Sequence, residues 1–149
     1  MNFNVNILRF MIPKSLVEYI TVDSTVRQAF EKMTFHRYTA IPVLDKEGRY
    51  VGTLRNDDMF RYFIERGEFD VLKAENTSVC DIFNPAYSKP LLHSASIEEL
   101  IEGVKEHNFV PIVDDRGCFI GIILRRDVLN FLFEHYTKDT QKQGVDDNG

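Results

Sequence analysis

The sequence predicts a mixed α/β (α+β) fold made of two βαββα-type repeats. Three kinds of observation support this prediction: residues that recur at a fixed offset, two capped amphipathic helices, and two hairpins that each lead into a further helix. The offset is 69 positions over the hairpins and 71 positions further upstream. A period that holds over most of a chain indicates an internal duplication. The matching pairs include Gly48 with Gly117, Gly52 with Gly121, Asp58 with Asp127, and Pro42 with Pro111.

The chain opens with short elements. Residues 1–10 are a lead-in, and a short helix is predicted over residues 7–11. Pro13 should end this helix, because proline cannot donate the next backbone hydrogen bond. Residues 17–22 alternate loosely in polarity, which predicts a short strand.

The first helix of each repeat is predicted from its cap and its apolar stripe. Thr25 with Gln28, and Ser96 with Glu99, have the spacing of a capping box. In both copies the apolar residues that follow lie at i, i+3, i+4 and i+7, which places them on one helix face. The stripes are Val26, Ala29, Phe30 and Met33 in the first copy, and Ile97, Leu100, Ile101 and Val104 in the second.

A β-hairpin follows each of these helices. The predicted strands are residues 38–44 and 50–54 in the first copy, and residues 109–113 and 118–124 in the second. Turn residues rich in Asp and Gly separate the two strands of each pair. Pro42 and Pro111 cannot donate to a sheet ladder, so each is expected at a strand start or an edge.

The second helix of each repeat is apolar on more than one face. The sequence predicts these helices over residues 57–66, closed by Gly67, and over residues 126–136. One face can fill the core, and the remaining apolar side chains form an exposed patch unless another subunit covers them. We therefore expect a homodimer. The polar residues 137–149 are predicted to be disordered.

Composition excludes several classes of function. The chain has 149 residues with a net charge of −5, which argues against nucleic-acid or anionic-membrane binding. Its two cysteines and four histidines show no metal-ligand spacing, so no metal site is predicted. The start does not resemble a signal peptide, and no stretch is long and apolar enough to span a bilayer. We expect a cytoplasmic protein.

The junction of the last predicted strand and helix holds Arg125, Arg126 and Asp127. The first N–H groups of a helix lack partners within it, and the helix dipole places partial positive charge there. Two guanidinium groups beside such a terminus form a plausible phosphate site, and a carboxylate can accept hydrogen bonds from sugar hydroxyls. The alternative for Asp127 is a helix cap, and the arginines are alternatively solvated or paired with nearby carboxylates.

The doubled order of these elements resembles a pair of cystathionine-β-synthase (CBS) domains, the Bateman module. The resemblance rests on Ile41-Pro42-Val43-Leu44-Asp45, on Val110-Pro111-Ile112-Val113-Asp114, and on the Gly–Asp pairs Gly52 with Asp58 and Gly121 with Asp127. It implies two repeats, at residues 11–67 and 77–136, packed around a pseudo-twofold axis. Residues 68–76 would connect them.

The resemblance also implies two clefts between the repeats that hold adenosine nucleotides. The first cleft would join the strand start Tyr38, Thr39, Ala40 and Pro42 to Arg125, Arg126 and Asp127, with Ile12 and Lys14 nearby. The second would join Asn108, Phe109 and Pro111 to Arg55 and Asp58. We rank the first cleft higher, because Asp57 beside Asp58 adds negative charge and Asp58 is alternatively a helix cap.

One position departs from the family pattern. The family commonly has Ser or Thr three residues before the Asp, and this chain has Arg55 and Leu124 there. Within the family, the chain looks like small stand-alone CBS-pair proteins of Gram-positive bacteria, some of which are similar to cyclic di-AMP receptors. A cyclic dinucleotide carries two phosphodiester charges and no terminal phosphate, which suits arginine contacts and aromatic stacking.

The function expected from the sequence is regulatory. No phosphate-binding loop, nucleophile elbow or metal cluster is visible, so we expect no catalysis and no cofactor, with an adenine nucleotide as regulatory ligand. That ligand, for which the resemblance suggests cyclic di-AMP, would alter how the chain acts on an enzyme in trans. The alternative is a protein-interaction adaptor whose clefts stay empty.

Overall fold

The computed structural model describes residues 4–146. It contains two β-sheets flanked by four α-helices, which confirms the predicted fold class. The helices are α1 (Val26–His36), α2 (Asn56–Arg66), α3 (Ile97–Glu106) and α4 (Arg125–Asp146). The strands are β1 (Ile12–Pro13), β2 (Ile20–Thr21), β3 (Ala40–Leu44), β4 (Tyr50–Arg55), β5 (Leu91–Leu92), β6 (Phe109–Val113) and β7 (Phe119–Leu124).

Each sheet is organised around one of the predicted hairpins. Strands β3 and β4 pair antiparallel, as do β6 and β7. A two-residue strand extends each hairpin in parallel, β2 beside β3 and β5 beside β6. Helices α1 and α3 begin with the predicted capping boxes at Thr25 and Ser96. Turn glycines Gly48 and Gly117 both have φ near +80°, the left-handed region where glycine avoids a Cβ clash.

The expectation that both prolines lie at a strand start or an edge is wrong. Pro42 is the third residue of the central strand β3, and Pro111 is the third residue of β6. The imide nitrogen is tolerated because the neighbouring parallel strand is too short to reach it: β2 pairs only with Val43 and Leu44. The backbone N–H of Asn56 donates to Thr39 O at 2.9 Å, and the alternation of an antiparallel ladder then turns the nitrogen of Pro42 away from β4.

The opening segment of each repeat packs on the other repeat. Strand β1 pairs antiparallel with β7, and Ile7, fully buried, lies in the core cluster of the second repeat. In the reciprocal exchange, Ser78 bridges to Thr25 and the fully buried Val79 lies in the core of the first repeat. The boundaries of the repeats at residues 11–67 and 77–136 remain a prediction from the sequence. In the packed structure the opening segment of each repeat lies on the other repeat.

The two hairpins meet across a pseudo-twofold axis. The N–H of Tyr50 donates to Gly117 O at 3.1 Å, and the N–H of Phe119 donates to Gly48 O at 2.9 Å. These two bonds are equivalents of each other under the 69-residue offset. The rings of Tyr50 and Phe119 stack over the same junction, with their centroids 6.5 Å apart. The repeats are therefore joined by backbone as well as by side chains.

The predicted disordered tail is wrong for residues 137–146. Helix α4 continues through them to Asp146, while residues 147–149 lie outside the described part of the chain. Lysine and glutamine have good helix propensity and this stretch contains no proline, so nothing stops the helix where the apolar pattern ends. None of the helices within residues 4–146 is long and apolar enough to cross a lipid bilayer.

Gly121 gives a test of the exchanged segment. A Cβ at this position would meet the carbonyl oxygen of Ile12 and would lie 2.7 Å from Met11 Cγ. We expect Gly121→Ala to lower the free energy of unfolding by about 1–3 kcal/mol in urea titrations, because β1 would be pushed from β7. Glu65→Ala, at an exposed position of α2, should change it by less than about 0.5 kcal/mol. Equal effects of the two substitutions would show that close packing of β1 is unimportant.

Candidate functional site

The first cleft is a cavity of about 340 Å³ at the start of β3. The structure brings five of the predicted residues together there, namely Ile12, Tyr38, Thr39, Ala40 and Pro42. The other lining residues are Leu16, Val17, Glu18, Arg37, Phe109, Ile122 and Leu124. Both repeats contribute, since the cleft joins β3 of the first repeat to β6 and β7 of the second.

The walls of the first cleft are mainly apolar. Along β7 the buried residues alternate with partly exposed ones, and Ile122 and Leu124 belong to the partly exposed set that lines the cavity. Tyr38 stands at the opening, stacked on His36 with ring centroids 5.1 Å apart and planes 12° apart. The result is a mainly apolar slot with an exposed aromatic ring at its opening.

The charged groups at this opening are unequal. The Lys32 ammonium lies 2.9 Å from the Glu18 carboxylate, and its hydrogen bond and charge lower the pKa of that carboxyl. Glu18 is therefore ionised and largely compensated at neutral pH. Arg37 makes no ion pair with any described residue. The opening consequently favours an anion over a cation.

Arg125 and Arg126, at the junction of β7 and α4, have different surroundings. The N–H of Arg125 donates to Asn108 O at 2.8 Å, and its Nε donates to Val104 O at 2.6 Å. Arg125 is thus turned onto the carbonyls that end α3, where a cation is favoured by the helix dipole. Arg126 is exposed in the first turn of α4 and makes no ion pair with the described residues. Its guanidinium is available to a ligand.

A depression of about 400 Å³ adjoins the first cleft at this junction. Leu124 lines both the cleft and the depression, and Arg125 and Arg126 line the depression. Asp127 lines neither. Lys14 lies elsewhere, with its ammonium 5.2 Å from the centroid of the Tyr19 ring. The structure therefore joins an apolar slot to one free guanidinium at a helix start, and it does not bring Lys14 or Asp127 to the slot.

The second cleft is a cavity of about 310 Å³. Arg55, Asn108 and Phe109 line it as predicted, whereas Asp58 and Pro111 do not. Asp58 is 2% exposed, and its carboxylate accepts the N–H of Arg55 at 2.8 Å. This is the helix-cap alternative for Asp58. The remaining lining residues are Thr39, Ala40, Thr53, Asn56, Asp57, Tyr87, Ser88, Glu106 and His107.

Tyr87 is the main residue of the second cleft that the sequence analysis missed. Its ring centroid lies 3.4 Å from the guanidinium carbon of Arg55, a cation–π contact, and 4.8 Å from the His107 ring. Extending the 71-residue offset aligns Tyr87 with Leu16, which lines the first cleft. This alignment could have identified Tyr87 from the sequence. Arg55 also faces the carboxylates of Asp58 at 3.4 Å and Asp57 at 3.9 Å.

Two buried polar atoms at the second cleft have no hydrogen-bond partner among the described residues. They are Arg55 Nε and His107 Nδ1. Burial lowers the pKa of His107 from its ordinary value of 6.5; the charge of Glu106 opposes this shift, and Arg125 and Arg55 add to it. Elsewhere in the described part of the chain, no group of three His, Cys, Asp or Glu residues is placed to hold a metal ion.

The lowered pKa of His107 predicts a dependence of stability on pH. His107 binds a proton near pH 6.5 in the unfolded chain and only at lower pH in the folded chain. The stability that neutral His107 contributes is therefore fully present above about pH 6.5 and decreases as the pH falls below it. His107→Gln should make this decrease shallower between about pH 7.5 and about pH 5.5 in urea titrations. Identical pH profiles for the two proteins would contradict the assignment.

Comparisons with known proteins agree with this architecture. A family model described as the CBS domain matches residues 10–65 and 90–134. Cyclic di-AMP receptor B of Bacillus subtilis (strain 168) is 30% identical over 132 residues, covering 85% of this chain and 86% of that protein. A crystal structure of CbpB in complex with c-di-AMP superposes with a TM-score of 0.79 and 20% identity, covering 93% of this chain and 91% of the other. For CBSX2 in complex with AMP, the TM-score is 0.68, the identity 22% and the coverage 88% and 98%. The chain belongs to the CBS domain family, with two copies of the domain.

Proposed function

We propose that this protein is a non-catalytic regulatory module that binds an adenosine-containing nucleotide in the first cleft. The single observation that carries the proposal is the continuity of an apolar slot with a cationic helix start through Leu124. A nucleotide has the same two parts, a flat apolar base and an anionic phosphate. The cavity volume of about 340 Å³ lies within the range of small-molecule sites, about 300–1,000 Å³.

The slot suits an adenine ring. Ile12, Pro42 and Ile122 offer apolar contacts to its faces, and Tyr38 offers an aromatic ring at the opening. Thr39 and Ala40 lie at the start of β3, where backbone groups and the Thr39 hydroxyl can hydrogen-bond to the adenine edge. The base would therefore be held by packing and oriented by a few polar groups.

The phosphate would lie over the first turn of α4. This helix has 22 residues, and its unpaired N–H groups favour an anion. Arg126 supplies the free guanidinium, and Arg125 holds the junction against α3. Leu124 stands where the family commonly has Ser or Thr, so the hydroxyl that would contact a terminal phosphate is missing. A ligand with phosphodiesters therefore fits better than one with a terminal phosphate. Cyclic di-AMP is accordingly our first candidate and AMP the second, in line with the ligands named for the relatives.

The regulatory output would pass through other protein surfaces. A nucleotide that binds one arrangement of the two repeats better than another shifts the population of that arrangement. We propose that a partner enzyme in trans reads this shift. The alternative, an adaptor that binds its partner with empty clefts, predicts the same partner affinity with and without nucleotide.

A second copy of the chain is the proposed occupant of the apolar faces of α2 and α4. Phe60 and Ile64 on α2 are 69% and 62% exposed, and Leu129 on α4 is 53% exposed. Phe60 and Leu129 are equivalents under the 69-residue offset, so the two repeats present matching faces. Faces related by a twofold axis are self-complementary, which suits a symmetric homodimer.

Isothermal titration with cyclic di-AMP, AMP and ATP tests the nucleotide proposal. We expect cyclic di-AMP to bind the wild-type protein, to raise its melting temperature, and to be recovered chemically unchanged. Leu124→Glu should weaken binding at least tenfold, because it places a carboxylate between the slot and Arg126. Leu124→Met keeps the size and the apolar character and is the matched control. Binding that survives Leu124→Glu, or turnover of the nucleotide, would contradict the proposal.

Analytical ultracentrifugation tests the dimer. Ile64→Glu should shift the wild-type protein from dimer to monomer, because it places an uncompensated charge in the proposed interface. Phe35→Glu is the control, since Phe35 is 82% exposed on α1 and belongs to neither of the helix faces proposed as the interface. If wild type is monomeric at micromolar concentration, or if both variants behave alike, the interface is wrong.

A further inference from the structure

The two clefts are equivalent by sequence and similar in volume, but two of their equivalent lining positions carry different residues. Under the offsets of the duplication, Leu16 and Leu124 of the first cleft correspond to Tyr87 and Arg55 of the second. All four residues line their cavities. The first pair leaves an apolar slot open. The second pair is in contact, with the Tyr87 ring centroid 3.4 Å from the Arg55 guanidinium carbon.

Tyr87 is fixed in place by its segment. Its N–H donates to Asn84 O at 3.1 Å. The next residue, Ser88, is 4% exposed, and its carbonyl oxygen accepts a hydrogen bond from the Tyr50 hydroxyl at 3.4 Å. The contrast with the first cleft is measurable, since Leu16 is 75% exposed and Tyr87 is 36% exposed. Tyr87 therefore forms part of the wall, whereas Leu16 stands free at the rim.

The charge balance of the second cleft is also reversed. Arg55 is the single Lys or Arg among its lining residues, and it is already engaged by Tyr87, Asp58 and Asp57. Asp57 and Glu106 line the same cavity and leave net negative charge there. Phosphate would have to approach two carboxylates without a free guanidinium. At the first cleft, Arg37 makes no ion pair with the described residues and Glu18 is paired with Lys32, and Arg126 makes no such ion pair in the adjoining depression.

We infer that Tyr87 is the residue that makes this protein bind one nucleotide per chain: by stacking on Arg55 it removes the only cation of the second cleft from reach and closes that cleft to anions. This inference rests on the proposed function of the first cleft. Arg55 Nε has no hydrogen-bond partner among the described residues. The Tyr87 ring contacts the face of the Arg55 guanidinium and does not accept this N–H.

Counting sites by isothermal titration with cyclic di-AMP tests the inference. Wild type should bind one ligand per chain. The variant Tyr87→Leu with Asp57→Asn makes position 87 like position 16 and removes a carboxylate, and it should bind two. Leu72→Ala, which shortens a side chain that is 67% exposed and lines neither cleft, should still bind one. Tyr87→Ala with Asp57→Asn is the second form of the variant, and the melting temperature of each protein verifies folding.

Combining a substitution that blocks the first cleft with those that open the second cleft tests this inference separately from the proposed function. Leu124→Glu alone should bind cyclic di-AMP at least tenfold more weakly than wild type, and adding the two second-cleft substitutions should restore one ligand per chain at the wild-type affinity. A wild-type stoichiometry of two, or opened variants that stay at one, would overturn the role of Tyr87. Wild type that binds nothing while the opened variants bind one would support closure by Tyr87 and refute the first cleft. If none of the proteins binds, both proposals are wrong.

Discussion

The pairing of the two hairpins across the pseudo-twofold axis is the constraint on which both clefts depend. Two backbone hydrogen bonds, Tyr50 N–H to Gly117 O and Phe119 N–H to Gly48 O, hold the turn of each hairpin against the first residue of the other's returning strand. The exchanged opening segments then join each repeat to its mate, as β1 does with β7. Both clefts are lined by residues of the two repeats. The first cleft is therefore a product of the interface between the repeats.

The two clefts of the duplicated fold are unlike because the two repeats carry different side chains at a few equivalent positions. At the residue before the second helix, the first repeat has Arg55 and the second has Leu124. Arginine in the one cleft attracts a tyrosine and carboxylates, whereas leucine in the other leaves an apolar floor. The backbone at the two junctions is the same, since Asn56 and Arg125 each donate their N–H to the carbonyl of the residue that precedes the first strand of their own hairpin. The lining of the two clefts differs while the fold is maintained.

Much of the first cleft could be predicted because its residues belong to the strand start that the motif identifies. Tyr38, Thr39 and Ala40 line the cavity as expected. Arg125 was expected to face the ligand but donates to the end of α3. Adjacent residues in a helix point about 100° apart, so the motif could place the arginine pair at the junction without showing which guanidinium packs on α3 and which stays exposed. Tyr87 was missed since it lies in an irregular segment, where no periodicity indicates direction.

The sequence by itself determined the duplication, the capped helices, the hairpins and their turns, because each depends on contacts within a few residues or on a repeated spacing. Only the tertiary structure decided the exchange of the opening segments, the central place of Pro42, and the different fates of Arg125 and Arg126. It also showed that α4 runs on to Asp146. These features depend on which surfaces meet across the axis. Burial and partner choice between residues distant in sequence are properties of the packed chain, and no local pattern encodes them.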